Sequence, residues 1–182
     1  MKILIVDNHS VNTKKLVHLF AGFDISVCDC DSFSPEKTEN FDLVVLSGGS
    51  HVYAAENTKK AYDTEIDFIK TTKKPIIGIC LSCQLIAKAF GGTLEKLEEK
   101  KHGIFEIKLG KKSYNVYKSH KYAIDKLPPQ LELIAESETG PEIIKHKTKP
   151  VYGFQFHPEV FPRKTDRKKL FLSIVKELPI SY

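Results

Sequence analysis

PIIGICLSCQLIAKAFGG, residues 75–92, holds two apolar runs separated by Gly78-Ile79-Cys80-Leu81-Ser82-Cys83-Gln84. Pro75 to Ile79 reads as a short buried strand, and Leu81 to Phe90 as a helix closed by Gly91-Gly92. A buried strand running directly into a helix is the repeating unit of a parallel sheet covered on both faces. Packing alone does not call for two cysteines three apart at that junction. Cys80 is open to four readings here: core filler, half of a redox pair, a metal ligand or a nucleophile.

The flanking sequence repeats the strand-and-helix pattern. Residues 2–6 (KILIV) predict a strand, and Ser10 is placed to cap a helix carrying Leu16, Val17 and Phe20 on one face, with Gly22 at its end. Strands follow at 25–28 and 41–46, the second stopped by Ser47-Gly48-Gly49-Ser50. Tyr62, Ile66 and Ile69 keep helical spacing within 56–71. After residue 100 the pattern changes to short strand-like runs at 103–109, 114–118, 131–135, 142–146 and 151–156, separated by turn signals such as Pro128-Pro129 and Gly140-Pro141. Leu170, Phe171, Ile174, Val175 and Leu178 mark a last helix, with Thr165 as its cap. The predicted class is α/β: an open, mostly parallel sheet with helices on both faces and antiparallel additions at one edge. No repeat or linker divides residues 1–182, so one domain is expected.

Composition narrows the function classes. With 182 residues, 41% hydrophobic and 28% charged, the chain can bury a real core and reads as an ordinary soluble protein. No leader is evident, and no apolar stretch approaches the ~20 residues needed to span a bilayer. Four cysteines without a secretory signal suggest reduced thiols and a cytoplasmic setting. The net charge of +5 comes from scattered lysine doublets such as Lys14-Lys15 and Lys111-Lys112, with only Arg163 and Arg167 as arginines. That distribution reads as solvated faces, and neither a nucleic-acid nor a membrane partner is expected.

Three segments could carry chemistry. Gly78-x-Cys80-x-Ser82 fits a nucleophile elbow, a tight turn between strand and helix that exposes the reactive atom and leaves the next N–H, that of Leu81, free for an oxyanion. Gly153-Phe-Gln-Phe-His157-Pro-Glu159 supplies a base and an orienter; Pro158 favours extended backbone at His157, and residues i and i+2 of an extended chain share a side. Gly48-Gly49 ends a predicted strand where α/β sheets bind ligands, and its N–H groups form a candidate second oxyanion donor.

Together these segments resemble the class I (triad) glutamine amidotransferases, whose Gly-Gly loop, Gly-x-Cys-x-Gly-x-Gln elbow and Phe-His-Pro-Glu segment occur in this order. Here they are LSGGS (46–50), GICLSCQ (78–84) and GFQFHPEV (153–160), and the resemblance runs from about residue 2 to residue 175. It implies the flavodoxin-like fold of that family, with Cys80 as nucleophile, His157 as base and Glu159 as orienter. It further implies Gly49 and Leu81 as oxyanion donors, and Gly48, Gln84, Ser119 and His120 as substrate-binding residues. The implied activity is hydrolysis of glutamine to glutamate and ammonia through a glutamyl thioester, with no cofactor and no metal. The ammonia would pass to a separate synthase subunit. LVVLSGGS and IGICLxxQLIAKAFGG look most like the free-standing glutaminase subunit of two-part GMP synthases.

The pattern is broken at three places. Ser82 stands where the family has glycine, which keeps a weak, regulatory relative open as an alternative. Tyr122 stands where an Asp is expected after Ser119-His120. Cys83 stands where His or Met is common, which leaves a Cys80/Cys83 thiol–disulfide protein as the rival from another class. A γ-glutamyl peptide hydrolase would use the same triad. A zinc site built from Cys80, Cys83, Cys28 and Cys30 is disfavoured, Cys28 and Cys30 being read as core residues on one strand face, and His9 as a surface or satisfied histidine.

Overall fold

A computed structural model describes residues 1–49, 62–160 and 164–178, without the side chains of residues 167–169. Its centre is five parallel strands, β1 (Lys2–Asn8), β2 (Asp24–Asp29), β3 (Leu43–Gly49), β4 (Ile76–Ile79) and, late in the chain, β9 (Val151–Phe154). Four antiparallel strands extend it: β5 (Thr93–Leu109), β6 (Lys112–Lys126), β7 (Leu131–Ser137) and β8 (Gly140–His146). The order across the sheet is β2-β1-β3-β4-β9-β8-β7-β5-β6. Parallel strands at one side and antiparallel additions at the other are the class expected from the sequence, with one correction. The run at 151–156, expected among the antiparallel additions, forms β9, which pairs parallel with β4 inside the sheet and carries the antiparallel strands on its other side.

The alternation of side chains along buried strands divides the core in two. Ile3, Ile5, Val45 and Ile77 pack with Leu16 of helix α1 (Thr13–Leu19) and Phe171 and Ile174 of helix α4 (Arg167–Val175). Leu4, Val6, Val44 and Ile76 pack with Phe68 and Ile69 of helix α2 (Asp63–Thr71) and Leu85 and Ile86 of helix α3 (Leu81–Ala89). No helix among the described residues is long and apolar enough to cross a membrane.

Several boundaries differ from expectation. Ser10 does not cap α1. Asp7 accepts the Ser10 N–H at 2.9 Å and the Thr13 hydroxyl at 2.7 Å, closing a turn that delays the helix to Thr13. Asp166, not Thr165, precedes α4; its carboxylate accepts the Asn115 N–H at 2.7 Å and ties the helix to β6. β5 begins at Thr93, ten residues before the expected 103, because TLEKLEEKKH is too charged to read as a strand. Its main chain nevertheless pairs with β6, for example Lys101 with His120. Ser50 and the first turns of the helix expected from residue 56 lie outside the described residues.

Candidate active site

The C-terminal ends of β1, β3, β4 and β9 meet at one edge of the sheet. β1 has β2 on one side and β3 on the other, so this edge includes the point where the strand order reverses, the usual ligand position in such sheets. Between β4 and α3 the chain turns at Cys80, which has φ 50° and ψ −99°. Positive φ is costly for a residue with a Cβ and persists only where its surroundings enforce it. Two features enforce it here. The Cys80 N–H donates to Phe154 O at 2.7 Å, pinning the turn to β9. Gly78 lets α3 close over the strand, since a Cβ there would lie 2.6 Å from Ile86 Cδ1 and 2.8 Å from Ser82 O. The strand-to-helix turn read from the sequence is therefore present.

His157 and Glu159 meet, although not for the reason given by the sequence. β9 ends at Phe154, and the Val160 N–H donates to His157 O at 3.2 Å, so residues 157–160 form a turn rather than extended chain. Within that turn Nδ1 of His157 lies 2.7 Å from Oε1 of Glu159. The His157 N–H is anchored on Tyr117 O of β6 at 2.8 Å. The side chains of His157 and Glu159 are 6% and 2% exposed. Burial pushes the imidazole towards its neutral form, but the Cys80 sulfur and Glu159 outweigh it, through charge and hydrogen bonding, and hold His157 well above the usual histidine range.

Gly48 shows how tightly these groups converge, for a Cβ there would lie 3.2 Å from His157 Cε1 and 3.5 Å from Cys80 Cβ. Gly49 packs still closer to β1. A Cβ would lie 2.4 Å from Asn8 O and 2.7 Å from Leu81 Cδ2, so the two residues expected to donate to an oxyanion are neighbours. Ser119 is placed by β6, with its carbonyl oxygen 3.9 Å from Cys80 Sγ. His120 is buried, and its Nδ1 lies 2.9 Å from Tyr122 O. Gln84 is also buried; its Nε2 donates to Tyr122 O at 2.8 Å and to Gln155 Oε1 at 3.1 Å. It therefore braces β6 against the elbow from behind. Tyr122, at the position where an Asp was expected, receives both of these contacts on its main chain.

Ser82 fills the place of the expected glycine without crowding the turn. Its hydroxyl points behind the elbow, donating to Ser47 O at 2.7 Å and accepting from Asn8 Nδ2 at 3.0 Å. Asn8 Nδ2 also reaches Glu65 Oε2 of α2 at 3.3 Å, and the Asn8 N–H donates to Ser47 Oγ at 2.9 Å. Burial pushes the Glu65 carboxyl up to about 7, against the opposing hydrogen bond from Asn8. Asn8 and Glu65 went unnoticed in the sequence, as did Gln155, whose Nε2 lies 3.9 Å from Cys80 Sγ. Only Gln155 carried a signal, its place in GFQFHPEV. Cys83 is fully buried beneath the sheet, where a Cβ at Gly153 would come within 2.8 Å of its sulfur. Burial pushes its thiol well above the usual range, with Glu142 and Cys80 adding to the effect. Cys80 and Cys83 are both free thiols.

The family model of class I glutamine amidotransferases matches residues 4–177. A glutamine-hydrolysing GMP synthase subunit of Methanocaldococcus jannaschii is 38% identical over 135 residues, 69% of this chain and 68% of the relative. Its counterpart in Methanothermobacter thermautotrophicus is 36% identical over 176 residues, covering 87% of this chain and 88% of the relative. The crystal structure of a candidate GMP synthase subunit from Thermoplasma acidophilum superposes with a TM-score of 0.84 at 27% identity, over 97% of this chain and 92% of that one. A glutamine amidotransferase from Thermotoga maritima, 20% identical, shares the fold with a TM-score of 0.72 over 97% of this chain and 82% of that one. The chain belongs to the class I glutamine amidotransferases.

Proposed function

We propose that this chain is a single-domain glutaminase subunit in which Cys80, His157 and Glu159 hydrolyse the side-chain amide of glutamine. The observation that carries this reading is the His157 imidazole, buried between the Cys80 sulfur and a carboxylate 2.7 Å away and held towards its charged form. The Cys80 sulfur attacks the amide carbon as the thiolate, forming the C–S bond. The oxygen of the tetrahedral intermediate turns towards the N–H groups of Leu81 and Gly49, one such donor being worth ~2.7–4 kcal/mol in the transition state. His157 gives its proton to the departing nitrogen, the C–N bond breaks, and ammonia leaves a glutamyl thioester. Water, deprotonated by the now neutral His157, attacks the thioester and releases glutamate. The sulfur departs as the thiolate, and His157 is left protonated for the next cycle. Glu159 fixes the ring orientation and stabilises its cation throughout.

The ammonia passes to a separate synthase subunit. Relatives named as subunits of glutamine-hydrolysing GMP synthase favour a synthase of that kind. Tyr122 in place of the family's Asp points to an altered contact with it. The orientation of Ser82 away from the elbow favours an active enzyme over a disabled relative. The buried position of Cys83 disfavours a redox pair.

Glutamate release from glutamine, measured with and without the synthase partner, tests the reading. Cys80→Ala is expected to abolish release, whereas Cys83→Ala is expected to retain it with a modest loss of thermal stability. Activity that survives Cys80→Ala would sink the proposal.

A further inference from the structure

A second group of reactive side chains lies at the outer corner of the sheet, apart from the elbow. His9 follows β1, Asp29 ends β2, and Cys30 and Asp31 open a 3-10 turn, Cys30–Ser32. Cys30 thus lies just past the strand rather than on it; it is a core residue as expected, with Cys28 packed against the same cluster, and its sulfur lies beside His9. Nε2 of His9 lies 3.6 Å from Cys30 Sγ and 3.4 Å from Asp31 Oδ2. Cys30 Sγ lies 4.0 Å from Asp31 Oδ1. One donor atom from each of the four residues can be chosen so that all lie within 4.8 Å of one another.

We propose that His9, Cys30 and Asp31 bind a divalent transition-metal ion of the zinc class, with Asp29 holding the imidazole in place. A tetrahedral zinc ion sits about 2.0–2.1 Å from a histidine nitrogen, about 2.3 Å from a thiolate and about 2.0–2.2 Å from a carboxylate oxygen. Those bond lengths place the ligand atoms about 3.3–3.6 Å apart. The nitrogen–sulfur and nitrogen–oxygen separations, 3.6 and 3.4 Å, match that spacing, whereas Sγ and Oδ1 of Asp31 at 4.0 Å stand wider, so the exposed Asp31 side chain turns inward for one ion to touch all three groups.

Asp29 gives the arrangement a second mark of a metal centre. Its Oδ2 lies 3.6 Å from Nδ1, the ring nitrogen that faces away from the proposed ion, within ion-pair range and a slight closure short of a hydrogen bond. Its Oδ1 is fixed by the Asp31 N–H at 2.9 Å. A carboxylate on the far nitrogen sets the tautomer and direction of a metal-bound histidine. The donors also separate the site from an ordinary acidic cluster, since a thiolate with an imidazole selects zinc-class ions over magnesium or calcium. Cys30 is only 8% exposed, while the side chains of His9, Asp29 and Asp31 are 56%, 50% and 74% exposed. The open side admits an ion and leaves its fourth position to water or another small ligand. Among the described residues, no lysine or arginine forms an ion pair with Asp29 or Asp31; the ion pairs of both are with His9.

On binding, the Cys30 thiol releases its proton to solvent as the sulfur–metal bond forms, and the ion keeps its charge. The ion would join the ends of β1 and β2, one residue from Asn8 and its hydrogen bonds behind the elbow. It would clip the fold and take no part in the amide chemistry.

The test is a Co2+ titration of the full chain carrying Cys80→Ser, so that the Cys80–His157 pair offers no competing sulfur. One equivalent is expected to give a sulfur-to-cobalt charge-transfer band and the strong visible bands of a four-coordinate ion, both displaced by Zn2+. Cys30→Ser should remove the charge-transfer band. Asp29→Asn should keep the bands but weaken affinity about 10- to 100-fold. His9→Ala, at an exposed position, removes a direct ligand without disturbing the core and should weaken binding more than Asp29→Asn does. Bands that persist in Cys30→Ser, a weak six-coordinate spectrum, or unchanged affinity in His9→Ala would each overturn the site.

Discussion

Burial and charge act on His157 in opposite directions, and charge prevails. Burial would lower it; the Cys80 sulfur and Glu159 raise it well above the usual histidine value. The imidazolium therefore persists above the usual histidine range and is lost only as pH rises through that raised value. Glu159→Gln removes one of the two raising charges. The alkaline limb of the glutaminase pH–rate profile should then move to lower pH, with kcat reduced roughly 10²- to 10⁴-fold. A limb that stays in place in Glu159→Gln would remove Glu159 from the mechanism. Glu65 presents the opposite case, an acid whose folded value, about 7, lies above its ordinary 4.5. The folded state keeps a proton that the unfolded state has lost. Its contribution is full below about pH 4.5, declines as pH rises towards 7, and is flat beyond, a total of about 3 kcal/mol. Urea unfolding at pH 5 and pH 8 should show this decline in the wild type and a smaller one in Glu65→Gln, which keeps an oxygen for Asn8.

At the scale of elements, the antiparallel half is joined by an ion pair sealed inside it. Lys118 of β6 and Glu142 of β8 are 1% and 0% exposed and form a short salt bridge. Lys118 Nζ also donates to Ser137 Oγ of β7 at 2.8 Å. Burial still pushes the Glu142 carboxyl upward despite the adjacent Lys118. Lys118→Ala would leave that carboxylate buried and unpaired, at a cost of about 3–5 kcal/mol by urea unfolding. Replacing both partners with apolar residues of similar volume should recover most of the loss. The pair links three strands that appeared in the sequence only as separate alternating runs. The partnership was not legible there, because a lysine and a glutamate 24 positions apart resemble any two surface charges.

Across the whole molecule, the parallel centre and the β5–β6 hairpin differ in burial. β3 and β4 are buried almost throughout, whereas the charged first half of β5 is largely exposed. Amide exchange should be slowest in 43–46 and 76–79 and much faster in 95–101, a gradient from global towards local opening. Uniform protection would contradict it. The sequence by itself determined the α/β class, the parallel character of the buried runs in the first half, the strand-to-helix turn at Cys80 and the candidate residues, but not the place of β9 inside the sheet. Apolar periodicity, glycines at crowded turns and the His-Pro-Glu segment are all local signals. Only the tertiary structure decided the turn that brings Glu159 to His157, the place of Ser82 among Asn8, Ser47 and Glu65, and the meeting of His9 with Cys30. These contacts join elements far apart in the chain, and their geometry depends on strand order and on where each strand stops.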